Sequence, residues 1–177
     1  MRCSVHAIKC TMKLSIQWVD TVKISFLFFI TFFLAGCSVK TYEMNVSKLI
    51  VIKSPQIKYA DLGYIRGHGD SLRIELYEMG NVVKSIEINN FICVDDGCML
   101  KNVFNQKYLS GSYPSDTLEN VILGHAIYDG KSLKKLYDGY MQKIKDENVD
   151  ITYEVTSEGI RFRDSKNGIL LKISSPQ

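Results

Sequence analysis

The sequence predicts an α+β fold, mainly antiparallel β: a curved sheet or incomplete β-barrel with one or two short helices. Three observations predict it. From Met44 onward, apolar residues recur mostly at every second position, the period of a strand with one buried face. The C-terminus repeats this pattern three times between polar turns, and Lys166-Asn167-Gly168 holds the Asn-Gly pair favoured in tight hairpins. Only Asp116–Leu123 has a clear helical period, with Leu118, Val121 and Ile122 at i, i+3 and i+4.

The chain upstream of Met44 reads differently. Ile24–Leu34 is a run of eleven apolar or hydroxyl residues. A spanning helix needs roughly 20 apolar residues, whereas the core of a secretory signal is this short. Met12-Lys13 would begin a leader of more usual length than Met1 does. The run ends in Leu34-Ala35-Gly36-Cys37, where the small pair suits an extended chain in a peptidase cleft and the thiol can take a diacylglycerol. This order resembles the lipobox of bacterial lipoproteins. The resemblance implies that residues 1–36 are a signal peptide, that Cys37 is the lipidated first residue, that 37–43 are a tether, and that 44–177 form a single domain. It also implies a lipid anchor of diacylglycerol and palmitate, in the cell envelope of a Gram-negative bacterium. Ser38 stands where that class carries Asp for inner-membrane retention, so the implied address is the outer membrane. A single acyl chain anchors only marginally, and the usual three make attachment effectively permanent. No cofactor is expected beyond this covalent lipid.

The charge follows the same division. The whole chain carries 22 Lys+Arg against 19 Asp+Glu. Residues 1–36 hold Arg2, Lys9, Lys13 and Lys23 against Asp20, so the remainder is balanced. The leader's positive charge suits insertion, and no bulk charge is left to attract nucleic acid. Of the 5 cysteines, Cys3 and Cys10 lie in the leader and Cys37 takes the lipid. Cys93 and Cys98 remain, and in an exported chain a disulfide is expected.

Within the domain, Leu49–Ile52 is a β-branched run closed by Ser54-Pro55, and Ile57-Lys58-Tyr59 continues extended. Arg66-Gly67-His68-Gly69-Asp70 reads as a glycine-rich turn. Leu72, Ile74 and Leu76 alternate with Arg73, Glu75 and Tyr77, and Gly80-Asn81 supplies residues that tolerate positive φ. Val82, Ile86 and Ile88 return as the partner strand, interrupted by Lys84. Phe91–Val94 and Cys98–Leu100 flank Asp95-Asp96-Gly97, a tight turn that sets Cys93 opposite Cys98. In the helical stretch Ser115 suits the cap, Asp116 and Glu119 suit the positive end, and Gly124 ends it. Lys131–Ile144 stays open: Leu133, Leu136, Tyr137 and Ile144 suit a helix, and Asp138-Gly139 breaks one. Ile151–Val155, Ile160–Phe162 and Ile169–Ile173 form the terminal meander, for roughly eight strands in all.

Catalytic chemistry is not expected. His68 has Asp61, Asp70 and Ser71 near it in sequence, but a solvated turn histidine explains it. There is no G-x-S-x-G elbow. Cys93 and Cys98 without a second pair make a weak zinc site. His125 follows a helix-ending glycine, where a cation is favoured. Glu43-Met44-Asn45-Val46-Ser47 matches the D/E-x-N-x-S/T acceptor of bacterial N-glycosylation and places Asn45 in the exposed tether.

The order of elements resembles the LolA/LolB lipoprotein-carrier family: a meander over Leu49–Ile88, a short helix ending in Val121-Ile122-Leu123-Gly124, then Ile151-Thr152-Tyr153 and Ile169–Ile173. The resemblance implies an incomplete barrel whose inner face takes lipoprotein acyl chains. The implied lining is Leu72, Ile74, Leu76, Ile86, Val121, Ile122, Tyr153 and Phe162, each equally a residue of an ordinary core. The chain departs from the family in its short domain, its lack of Trp after Cys37 and its Cys93–Cys98 turn. The rival expectation is an envelope protein–protein interaction or assembly module, or a surface adhesin or antigen. All 10 tyrosines follow Cys37, as suits an interface or a wetted cavity rim.

Overall fold

Residues 43–95 and 97–176 are described by a computed structural model. Thr41–Gln177 is a compact unit with its own hydrophobic core. The expected signal peptide, residues 1–36, and the expected lipidation site Cys37 lie outside the described residues.

The domain is one 11-stranded antiparallel sheet. Its strands are β1 (Met44–Lys53), β2 (Lys58–His68), β3 (Ser71–Glu78), β4 (Asn81–Ile88), β5 (Ile92–Val94) and β6 (Gly97–Met99), then β7 (Leu133–Lys135), β8 (Tyr140–Lys145), β9 (Asp150–Thr156), β10 (Gly159–Asp164) and β11 (Ile169–Ser174). The spatial order runs β6-β5-β4-β3-β2-β1-β11-β10-β9-β8-β7. Two meanders are therefore joined where β11 returns beside β1, with Ile50 opposite Ile173 and Ile52 opposite Leu171. β6 and β7 do not pair with each other, so the sheet stays open.

Between the meanders lies the helical insert: α1 (Lys101–Tyr108), α2 (Thr117–Leu123) and a 3₁₀ turn at Tyr128–Gly130. Inner-face residues of the sheet pack into one core with Phe104 of α1 and Leu118, Val121 and Ile122 of α2. α2 starts after Asp116 without a side-chain cap, and Ser115 does not supply one. Gly124 ends it at φ 71°, a conformation glycine adopts without Cβ strain. Gly63 in β2 matters for a different reason. A Cβ there would lie 2.7 Å from Ile50 Cδ1 and 2.8 Å from the Glu75 carbonyl oxygen, so only glycine permits this approach.

Several sequence expectations shift here. The described residues form 11 strands rather than roughly eight, the β7–β8 hairpin being the addition that the alternation does not mark. Lys131–Ile144 is not a helix but the β7–β8 hairpin, with Asp138 and Gly139 in its turn. α1 was not foreseen. β2 continues through Gly67-His68, leaving only Gly69-Asp70 as the turn. Val82 is exposed because a bulge between Leu76 and Tyr77 shifts the register around Lys84.

Candidate functional site

The inner face carries apolar rows. Ile65, Ile74, Ile86 and Val94 stand side by side across β2–β5. Ile52, Leu171, Phe162 and Tyr153 do so across β1, β11, β10 and β9. α2 covers both. Leu118 and Ile122 close a cavity of about 20 Å³ against Ile50, Ile52, Ile65, Ile74, Ile86, Leu171 and Ile173. Leu118 and Val121, with Leu109, Tyr113 and Thr117, close a second of about 10 Å³ against Phe162, Ile169 and Leu171. Each has room for about one water, far from the roughly 300–1,000 Å³ of a ligand pocket.

All eight residues of the implied lining are buried. Ile74, Ile86, Val121, Ile122 and Phe162 border the two cavities, whereas Leu72, Leu76 and Tyr153 border neither. The sheet's inner residues Ile50, Ile65 and Leu171 are equally part of this surface, and their alternation with exposed neighbours was the signal for them.

Polar bonds fasten the insert on one side. Tyr113, Phe162, Tyr153 and Tyr140 form an aromatic row with successive ring centroids 5.7, 6.2 and 5.9 Å apart. Its hydroxyls reach the insert and the loops beside it. Tyr153 donates to the His125 carbonyl at 2.9 Å, and Tyr140 donates to the Gly124 carbonyl at 2.8 Å, both just past the end of α2. Tyr113, between α1 and α2, donates to Asp164 Oδ2 of β10 at 2.7 Å. Gln142 of β8 accepts from the Ile127 N–H and donates to the carbonyls of Ile127 and Lys131. Among the described residues no hydrogen bond or ion pair ties the insert to β1–β6. There its contacts are apolar.

Burial raises the pKa of Tyr113, Tyr140 and Tyr153, and for Tyr113 the Asp164 carboxylate raises it further. Tyr128, buried and near Asp146 and Asp164, is pushed up to about 12. Burial alone would raise the Asp164 carboxyl. Hydrogen bonds from Asn167, Tyr113 and the Asp150 N–H outweigh that and hold it below its ordinary value.

Other expected sites fall elsewhere. Cys93 and Cys98 are paired across β5–β6 and joined by a disulfide. Asn45 is exposed but sits in β1, opposite Arg66 of β2, and not in a tether. His68 and His125 are exposed. Among the described residues no three of His, Cys, Asp and Glu are gathered to hold a metal, and no helix is long and apolar enough to cross a membrane.

Protein-family models, curated proteins and solved structures give no match to this chain. The resemblance to the lipoprotein carriers read from the order of elements in the sequence gains no support from them.

Proposed function

We propose that this chain is an outer-membrane lipoprotein, anchored through Cys37, with a non-catalytic role: its open sheet binds an acyl chain, including one carried by another lipoprotein, by displacing α2. The observation that carries this reading is the one-sided fastening of the insert. β8–β10 hold it by hydrogen bonds, while over β1–β4 it rests on Leu118 and Ile122. A cover fixed along one side and only packed along the other lifts from the packed side.

Magnitudes favour the exchange. Exposing Leu118, Val121 and Ile122 costs roughly 5–9 kcal/mol at about 1.5–3 per side chain. An acyl chain burying about fourteen methylenes contributes roughly 11 kcal/mol at ~0.8 each. The ligand exceeds the cover, but by little, which is what reversible loading requires.

Two experiments test the two parts. Thr41–Gln177 produced without the lipid anchor and loaded with palmitic acid is weighed by native mass spectrometry. A fatty-acid adduct lost on Phe162→Lys is the expected result, and a bare protein mass refutes the carrier role. Separately, Cys37→Ser is expected to move the full chain out of the membrane fraction, and unchanged fractionation refutes the anchor.

A further inference from the structure

The outer face of the same sheet carries a charge pattern that the carrier reading does not use. Lys143 of β8, Arg163 of β10 and Lys53 of β1 occupy one transverse row, linked through Thr152 and Leu170. Arg161 of β10 and Lys172 of β11 are adjacent in the next row, beside Val51. All five cations are exposed, and none makes an ion pair or hydrogen bond among the described residues. The nearest carboxylates on this face, Glu154 and Asp150, leave it strongly positive, and Asp150 is already paired with Lys145.

We propose that this face docks onto the anionic headgroups of a lipid bilayer. Charge complementarity argues for it: the domain as a whole is balanced, so five unpaired cations on one face leave the remainder acidic and orient the molecule. The shape argues for it too. From β8 to β1 the cations span about 19 Å of sheet at ~4.8 Å per strand, a broad surface with Val51 and Leu170 between the charges rather than a groove for a peptide. The inference rests on the proposed lipid anchor in one respect only. The seven residues Cys37–Glu43 reach at most about 25 Å, which keeps the domain beside a bilayer at all times.

The test uses Thr41–Gln177, the compact unit, without lipid. It is sedimented with vesicles of phosphatidylcholine alone and of phosphatidylcholine mixed with phosphatidylglycerol. Binding is expected only to the mixed vesicles and is expected to fall as salt is raised. Lys143→Gln, Arg161→Gln and Arg163→Gln should each weaken it about five-fold, with unchanged thermal midpoints because these side chains hold nothing in the fold. Lys107→Gln on α1 should leave it unchanged. Equal binding to both vesicles, or binding indifferent to the three substitutions, overturns the proposal. So does a domain that ignores the vesicles and binds a polyglutamate peptide, which would make the face a site for an acidic protein. Because the domain used here lacks Cys37, failure of this test is separate from failure of the anchor, which fractionation of Cys37→Ser reads alone.

Discussion

The two meanders place their polar chemistry on opposite faces. In β2–β4 the charges lie outside and neutralise one another: Arg66 meets Glu75 at 3.2 Å, and Arg73 meets Glu87 at 2.6 Å and Glu75 at 3.8 Å. Tyr77 completes the ladder by donating to Glu75. The inner face of the same strands is aliphatic. In β8–β10 the arrangement is reversed: tyrosines, Gln142 and Asp164 turn inward to grip the insert, and outside, Lys145 pairs with Asp150 while Lys143, Arg161 and Arg163 have no partner among the described residues. The difference teaches that one continuous sheet can hold a cover firmly at one end and loosely at the other without a break in its hydrogen-bonded ladder. It also shows that charge count alone says little, since paired cations hold strands and unpaired ones are available to a partner.

Substitutions that break this contrast should differ in size. Asp164→Ala removes the acceptor for Tyr113 and for the backbone N–H groups of Asp150, Lys166 and Asn167. It should cost about 4 kcal/mol, read as a lowered urea midpoint with unchanged slope. The carboxyl's folded pKa lies below the ordinary value, so its stabilisation is present above about pH 4 and is lost as pH falls through the depressed value. An acid titration of Asp164→Asn should lose that limb. Next, Ile122→Ala, on the loosely held side, should cost about 3 kcal/mol and weaken α2's protection from hydrogen exchange more than that of β9.

Reducing the Cys93–Cys98 disulfide should cost at most about 2 kcal/mol, because so short a loop constrains the unfolded chain little. Being on the outer face, it should leave the insert's protection unchanged. The smallest effect is expected from Tyr140→Phe, about 1 kcal/mol. Its alkaline signature is more telling. Burial raises the folded pKa of Tyr140 and Tyr153, so their stabilisation is complete below about pH 10 and declines as pH rises beyond it. Tyr140→Phe should make that decline shallower in an alkaline denaturation series.

Much of the sheet was legible because half-buried strands advertise themselves. The alternation from Met44, the Asn167-Gly168 turn and the helix-ending Gly124 all stand where the residues indicate. α1 was not legible for a physical reason: Leu100 provides no side-chain cap, and only Phe104 and Asn105 of the helix are buried, so it has no apolar stripe. The β7–β8 hairpin hid because a buried glutamine, Gln142, occupies a core position of β8, while Leu133 of β7 is exposed. The gripping side of the site was hidden by distance, since Tyr113 and Asp164 stand 51 residues apart. Ile74, Ile86, Tyr153 and Phe162 of the apolar rows are legible as lining in the sequence, but their neighbours Ile52, Ile65, Val94 and Leu171 are not.

The most direct measurement is hydrogen–deuterium exchange across Thr41–Gln177 with and without bound lauric acid. Faster exchange over Thr117–Leu123 is expected when the fatty acid is bound, with β8–β10 still protected. Exchange over α2 that stays unchanged while the acid is bound would contradict the displacement of α2.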